Sequence, residues 1–201
     1  MDANNCQLSI VNCQLRLKLA SASPRRRELI AGLDIPFEVV SLPGVEETFP
    51  PTLTEGDIPL HIARLKMAAY DQPLQDGEVL VTADTIVWVD GQVLGKPVDE
   101  ADARRMLHLL SGRTHQVFTG VCLRSADRQT EFVCRTDVTF ATLADEQIAY
   151  YVDTYRPLDK AGAYGIQEWI GYVGVTGING SYFNVMGLPV QRLAMALQSF
   201  C

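Results

Sequence analysis

The amino-acid sequence predicts an α/β fold in which helices flank a mixed, twisted sheet. Apolar runs rich in β-branched residues alternate with segments whose apolar residues recur at helical spacing, as in a sheet covered by helices. The dipeptide Asp90-Gly91 separates two such runs and predicts a hairpin, so antiparallel pairs should occur beside parallel ones. With 201 residues, 47% of them hydrophobic, the chain is long enough to bury a sizeable core.

The first helix has the clearest boundaries. Ser23 suits the N-cap, Pro24 the first helical position, and Gly32 the point where the helix ends. Further helices are predicted over 58–70, 99–110, 145–155 and 189–200. Strands are predicted over 17–20, 37–40, 79–89, 92–94, 114–124 and 130–142. The stretch 161–187 is punctuated by glycines and receives no helix or strand.

The first sixteen residues fall outside this pattern. Asn5-Cys6-Gln7-Leu8 recurs as Asn12-Cys13-Gln14-Leu15, but two units of a seven-residue repeat are too few for a coiled coil. We predict that residues 1–16 form a poorly ordered extension. Residues 17–201 should form a single domain, because no linker long or polar enough to separate two domains interrupts them.

The charge balance argues against a general nucleic-acid binder. Lys and Arg number 17 against 24 Asp and Glu, for a net charge of −7, so no excess positive field attracts a polyanion. The mean hydropathy of +0.05 and the lack of a long apolar run argue against a membrane-spanning helix. Any phosphate that this protein binds must therefore be held by a local cluster of basic residues.

The cysteines and the start of the chain bear on the compartment. The five cysteines show no CxxC and no zinc-ligand spacing, and ordinary reduced side chains are the expected state. The first residues lack the positive and apolar segments of a signal peptide. We therefore expect a reducing, cytoplasmic location.

The first candidate for chemistry is the strand-to-helix turn Ser21-Ala22-Ser23-Pro24-Arg25-Arg26-Arg27. Backbone N–H groups at a helix N-terminus, with hydroxyls and guanidiniums nearby, form a typical phosphate site. The alternative is a capped helix with solvated arginines. Three arginines at the positive end of a helix oppose its dipole, however, and this placement is easier to understand if an anion binds there.

The second candidate is Asp84, in the middle of a strongly apolar strand. An ionised carboxylate in that setting must be paired, bound to a metal or placed at an exposed strand end. Glu46-Glu47 in a proline-rich loop offers further hard oxygen ligands for Mg²⁺ or Mn²⁺. The alternatives are a structural ion pair for Asp84 and a solvated loop for the two glutamates.

The third candidate is a set of isolated lysines. The chain has four lysines, of which Lys66 lies in an otherwise apolar helical stretch, while Lys96 and Lys160 lie beside glycine, proline or alanine, which allow close backbone approach. Each alone reads as a surface lysine. Together they raise the chance that they meet at one anionic ligand, with Lys160 as an additional pocket candidate.

Seven segments together closely resemble the Maf family of nucleoside triphosphate pyrophosphatases, in the family's order and spacing from about Leu17 to Phe200. They are Ser21-Ala22-Ser23-Pro24-Arg25-Arg26, Lys66, Thr82-Ala83-Asp84-Thr85, Gly95-Lys96-Pro97, Asp159-Lys160-Ala161-Gly162-Ala163-Tyr164-Gly165-Ile166-Gln167, Ile178-Asn179-Gly180-Ser181-Tyr182 and Gly187-Leu188-Pro189. The resemblance implies a cytoplasmic enzyme, usually dimeric, with two lobes around a cleft like that of inosine triphosphatases. It also implies hydrolysis of a nucleoside triphosphate to the monophosphate and pyrophosphate with a divalent metal cation.

The resemblance also assigns roles. Asp84 is then the catalytic carboxylate, and Glu46 joins Asp84 in binding the metal. The triphosphate is held by Ser23, Arg26, Lys66 and Lys96. Base preference is set by Arg25, Thr85 and Gln167, which match the branch that acts on dTTP and UTP. A carboxylate beside a metal is a weak base, so Asp84 acts either as the base or mainly as a ligand that orients water.

Two alternatives stay open at this point. The first is a house-cleaning pyrophosphatase for modified nucleotides such as 7-methylated GTP or pseudouridine triphosphate. The second is a cell-division regulator that acts on septum formation through protein contact. A regulator would not need Asp84, whereas either pyrophosphatase would.

Overall fold

The computed structural model of the chain describes residues 14–201. Its strands are β1 (Arg16–Leu19), β2 (Phe37–Val39), β3 (Glu78–Val89), β4 (Gln92–Leu94), β5 (Thr114–Arg124), β6 (Gln129–Phe140) and β7 (Val175–Asn179). Its α-helices are α1 (Pro24–Ala31), α2 (Asp57–Ala68), α3 (Glu100–Leu110), α4 (Asp145–Tyr155), α5 (Trp169–Gly174), α6 (Tyr182–Met186) and α7 (Val190–Leu197).

The described strands form a seven-stranded mixed sheet. The order is β2-β1-β3-β5-β6-β7, and β4 pairs with β3 outside this path. β1 runs parallel to both β2 and β3, whereas β3–β4 and β6–β7 are antiparallel pairs. The predicted α/β class, with a mixed sheet and flanking helices, is confirmed. No helix within residues 14–201 has the length and apolar character that a membrane span requires.

The first of two compact units contains the described residues up to Asp84, together with Gly120–Val133 and Gly187–Cys201. Its core includes Ala20, directly after β1, and buried side chains from α2, β3 and β5: Ala63, Met67, Leu80 and Cys122. These residues come from the alternating strand and helix patterns that the sequence shows most clearly.

The second unit contains Thr85–Thr119 and Cys134–Met186. It buries an aromatic cluster in which His115 lies 5.2 Å from Phe140 and 5.4 Å from Tyr164 between ring centroids. The glycine-rich stretch that received no assignment contains a short 3-10 helix (Ala161–Ala163), α5, β7 and α6.

The predicted N-terminal boundary is only partly described. Residues 1–13 of the predicted extension lie outside the described residues. Leu15 is buried at 4% exposure and β1 begins at Arg16, so ordered structure begins before residue 17. The single domain predicted for 17–201 stays a prediction beside the two units given above.

Candidate active site

The N-terminus of α1 forms as predicted. The Ser23 Oγ accepts a hydrogen bond from the Arg26 backbone N–H at 3.4 Å, and Pro24 is the first helical residue. The Ser21 Oγ accepts from the Ser23 N–H at 3.3 Å, so two hydroxyls lie at the positive end of the helix. Hydroxyls and N–H groups at such an end are suitable donors for phosphate.

Arg26 connects α1 to two other segments of the first unit. Its Nε donates to the Gly187 carbonyl at 2.8 Å, and its Nη1 donates to the Ala83 carbonyl in β3 at 2.8 Å. Burial lowers the pKa of Arg26 below its ordinary value, while Asp84 acts in the opposite direction. An arginine remains charged in proteins, so Arg26 places a fixed positive charge next to the strand that carries Asp84.

Lys66 lies between two carboxylates of the first unit. Its Nζ is 2.8 Å from Asp84 Oδ1 and 2.8 Å from Glu47 Oε1. The Lys66 and Asp84 side chains are each 12% exposed, whereas the Glu47 side chain is 47% exposed. Residues of a loop, α2 and β3 therefore meet at a single ammonium group.

The Asp84 carboxylate is buried yet accessible to chemistry at one oxygen. Burial raises the pKa of Asp84, and Lys66 and Arg26 oppose this rise by favouring the charged form. Oδ1 accepts from Lys66, whereas no residue in the described part of the chain donates to Oδ2. Asp84 therefore has an acceptor oxygen of enhanced basicity that a water molecule or a ligand can use.

The predicted metal ligand Glu46 is exposed, and its neighbour Glu47 contacts Lys66 instead. Within residues 14–201, no group of three His, Cys, Asp or Glu side chains is arranged to hold a metal ion. Asp84 and Glu47 do converge on one cation, the Lys66 ammonium. Because Mg²⁺ commonly takes one or two carboxylates and completes its shell with water and substrate phosphates, these residues fit a metal that binds together with a phosphate ligand.

The predicted specificity residues are divided between the units. Arg25 is partly buried on α1 in the first unit, whereas Thr85 and Gln167 belong to the second. Thr85 directly follows Asp84, and its Oγ1 lies 2.9 Å from the Thr119 Oγ1. The structure thus gives Thr85 a fixed side-chain partner.

The Gln167 side chain is unusual because its amide oxygen is buried without a hydrogen-bond partner. An unpaired buried acceptor costs roughly 1–3 kcal/mol. A bond between Gln167 and backbone would have indicated a purely structural role. The described chain supplies no donor for this oxygen, so its partner is either a water molecule or a ligand.

The two remaining lysines differ from each other. Lys96 is exposed, and no described residue forms an ion pair with it. Lys160 is 8% exposed, with its Nζ 2.7 Å from Asp159 Oδ1 and 3.1 Å from Glu168 Oε1. Lys160 is therefore neutralised by two carboxylates, and its predicted pocket role stays a prediction.

Three residues with defined side-chain contacts received no role from the sequence. Glu47 was weighed only as part of a loop pair. Tyr151, which donates to Glu168 and whose pKa is raised mainly by burial, gives no signal beyond a helical aromatic. Buried Asn184 donates through Nδ2 to the Val117 carbonyl at 3.1 Å and the Thr136 Oγ1 at 3.0 Å, which joins α6 to β5 and β6. An asparagine among apolar neighbours was the only available signal for that junction.

Comparison with known proteins decides the family. A family model described as "Maf-like protein" matches residues 16–200. The chain belongs to the Maf family. The resemblance derived from the sequence motifs is confirmed, and it extends over nearly all of the described chain.

Relatives within the Maf family are highly similar. A protein of Phocaeicola vulgatus named "dTTP/UTP pyrophosphatase" is 60% identical over 183 residues, which cover 91% of this chain and 95% of that protein. A protein of Bacteroides fragilis with the same name is 56% identical over 183 residues, with the same coverage. A solved structure titled "Structure of a HAM1 protein from Coxiella burnetii" has a TM-score of 0.47 at 17% identity, covering 92% of this chain and 99% of that one.

Proposed function

We propose that this chain hydrolyses dTTP and UTP to the corresponding monophosphate and pyrophosphate with the help of a divalent metal cation. The observation that carries the chemistry is the buried Asp84 carboxylate, held at 2.8 Å by Lys66. The names of the Phocaeicola vulgatus and Bacteroides fragilis relatives support the substrate class. An enzyme of this type must neutralise a triphosphate and orient a water molecule for in-line attack.

The triphosphate is assigned to the basic groups. Ser23 offers a hydroxyl and the helix N-terminus, Arg26 offers a fixed charge, and Lys66 offers an ammonium already placed beside Asp84. Lys96, which is exposed in the second unit, is the remaining candidate. In this proposal the basic groups of the first unit supply local positive charge for a polyanion in a protein whose net charge is −7.

We assign Asp84 the role of the catalytic carboxylate. Its Oδ2 accepts a proton from the attacking water or orients that water, while Lys66 holds Oδ1 in place. The raised pKa caused by burial makes Asp84 a better proton acceptor than an exposed aspartate. Attack at the α-phosphate breaks the phosphoanhydride bond to the β-phosphate, and pyrophosphate is released as the leaving group.

We assign metal binding to Asp84 and Glu47, and Glu46 is the neighbouring candidate from the same loop. When bound, Mg²⁺ or Mn²⁺ supplies positive charge against the leaving pyrophosphate. The Lys66 ammonium contacts one oxygen of each carboxylate, and a triphosphate offers that ammonium a further anionic partner.

We assign recognition of the nucleobase to Gln167, together with Thr85 and Arg25. Uracil and thymine carry an N3–H donor between two carbonyl acceptors, and that donor matches the unpaired Gln167 Oε1. Cytosine has an acceptor at N3 and carries its donor on the exocyclic N4, so a cytosine ring placed as uracil is leaves the oxygen unpaired. The pyrimidine preference follows from this difference.

The assembly and location belong to the same proposal. We assign the protein to the cytoplasm as a homodimer that does not bind nucleic acid. In the second unit, large side chains such as Tyr172, Ile178 and Phe183 are exposed by 82%, 40% and 45%, and they provide apolar surface for a second copy. Light scattering on the purified protein tests the dimer, and a single monomeric species contradicts it.

Product identification tests the activity directly. The purified protein is incubated with each common NTP and dNTP in Mg²⁺ or Mn²⁺, and phosphorus NMR identifies the products without added phosphatase. We expect UMP and pyrophosphate from UTP, and dTMP and pyrophosphate from dTTP. Direct release of orthophosphate with formation of UDP would refute the proposal, as would a lack of turnover of both UTP and dTTP.

A further inference from the structure

The turn that carries Gln167 is held by a tyrosine distant in the sequence. The Glu168 N–H donates to the Gly165 carbonyl at 3.0 Å, which closes a four-residue turn with Gln167 in its third position. Tyr151, fully buried on α4, accepts from the Gly165 N–H at 3.0 Å and donates to Glu168 Oε2. One hydroxyl therefore contacts both the first and the last residue of the turn.

The charge of Glu168, the last residue of the turn, is compensated by a lysine. Glu168 Oε1 lies 3.1 Å from the Lys160 ammonium, which also lies 2.7 Å from Asp159 Oδ1. Because Lys160 is 8% exposed, removing one partner would leave a buried charge only partly compensated. Both oxygens of the Glu168 carboxylate are thus committed, one to Lys160 and one to Tyr151.

The turn also has little room to change shape. A Cβ added at Gly165 would lie 2.8 Å from Glu168 Cδ and 3.1 Å from Lys160 Cε, which is closer than side-chain atoms normally approach. Gly165 is therefore packed directly against the two charged side chains. A shift of the turn would disturb this packing and the hydrogen bonds of Tyr151 at the same time.

We infer that Tyr151 is a positioning residue for base recognition, whose hydroxyl fixes the Gly165–Glu168 turn so that the Gln167 Oε1 stays available to a pyrimidine N3–H. The inference rests on the proposed function, in which Gln167 binds the base. An acceptor buried without a partner is costly, so a relaxed turn would let Gln167 rotate towards water or a backbone donor. The Tyr151 hydroxyl prevents that relaxation without touching the substrate.

The test removes only the hydroxyl. In Tyr151→Phe, the ratio of kcat/KM for UTP to that for CTP should fall by about two- to tenfold, the range expected for one hydrogen bond. The ratio does not depend on the fraction of folded enzyme, so a purely structural role of Tyr151 leaves it unchanged. Tyr155→Phe is the matched control, because Tyr155 lies on the same helix with its ring centroid 5.1 Å from that of Tyr151.

Two further measurements keep the test decisive. Hydrogen exchange at the Gly165 amide should accelerate in Tyr151→Phe and stay unchanged in Tyr155→Phe. If Tyr151→Phe does not fold, Glu168→Gln replaces the charged acceptor of the Tyr151 hydroxyl by a neutral and weaker one, which loosens the same turn and should lower the same ratio.

The outcomes distinguish failure of the role of Tyr151 from failure of the proposed function. A wild-type enzyme that prefers UTP, together with an unchanged ratio in Tyr151→Phe, overturns the role of Tyr151 and leaves the proposed function standing. A wild-type enzyme that does not distinguish UTP from CTP overturns base recognition by Gln167, and the role of Tyr151 with it. A lowered ratio with faster exchange at Gly165 supports both.

Discussion

Replacing Gln167 by Met removes the amide while keeping an unbranched side chain of similar length. Because the wild-type Oε1 is buried without a partner, a uracil N3–H relieves a cost of about 1–3 kcal/mol. Cytosine has an acceptor at N3 and its donor on N4, so it does not relieve this cost when its ring is placed as uracil is. The wild-type enzyme should therefore prefer UTP over CTP by roughly 5- to 150-fold in kcat/KM. In Gln167→Met this ratio should fall towards one.

The same variant should lose selectivity without losing stability. Removing an unpaired buried oxygen should leave the free energy of unfolding unchanged or raise it by up to about 1 kcal/mol. Urea denaturation measures this quantity, and initial rates with UTP and CTP in one mixture measure the preference. Gln191→Met, at an exposed position of α7, is the control and should change neither.

If Gln167→Met keeps the wild-type ratio, Gln167 does not recognise the nucleobase, and recognition must lie elsewhere, first at Arg25 and Thr85. Marked destabilisation would also contradict the role of Gln167, since it would mean that the amide has structural partners. A complementary variant, Gln167→Glu, should relatively favour GTP, because guanine presents two adjacent donors, N1–H and N2–H₂, that suit a carboxylate.

Three other variants follow from the structure. Asp84→Asn should lower turnover by about 100-fold or more while circular dichroism stays unchanged, and near-wild-type turnover would show that Asp84 is not the catalytic group. Burial lowers the pKa of His115 to about 4, so the protein should lose roughly 3 kcal/mol of stability between pH 6.5 and 4, as the unfolded state takes up a proton first. His115→Phe should remove this part of the pH dependence, measured by urea denaturation at each pH. Gly120→Ala should cost about 1–3 kcal/mol, because its Cβ would lie 2.4 Å from the Leu60 backbone nitrogen, whereas Gly44→Ala, with no atom within 4 Å, should cost little.

The predicted elements agree with the structure where local chemistry defines them. The helix beginning at Pro24 has Ser23 as its cap, and α3 has Asp99, whose Oδ1 accepts from the Asp102 N–H at 2.8 Å. A capping side chain, a proline at the first position and a hairpin dipeptide act over a few residues. The sequence alone is therefore enough to place them.

The sequence patterns did not predict the helices and the strand within 161–187. α5 contains Gly171, where an added Cβ would lie 1.8 Å from the Ile166 carbonyl oxygen. This glycine permits a close backbone approach and does not end a helix. Helix propensity counts Gly171 as a helix breaker, so the pattern predicted a loop where the structure has a helix.

The candidate site shows a similar limit. The sequence identified Asp84 and Lys66 separately, from a carboxylate in an apolar strand and a rare lysine, and the structure pairs them at 2.8 Å. It did not distinguish Glu46 from Glu47, because adjacent loop residues of the same type differ only in the direction of their side chains. It also did not show that Lys160 is already neutralised, since its partner Glu168 lies in a turn that only the fold closes.

The state of the buried polar atoms gives the strongest remaining argument about which candidates bind a ligand. Within residues 14–201, His115, Gln167 and Asn184 each have a buried atom without a partner. His115 Nε2 bonds to the Tyr164 hydroxyl at 2.8 Å, and Asn184 Nδ2 bonds to the Val117 carbonyl, so the fold explains both orientations. Gln167 has no hydrogen bond from either end of its amide to the described chain. A side chain whose polar groups the protein leaves unpaired is held ready for a donor from outside, which is why selectivity at Gln167 is the sharpest test of the proposed function.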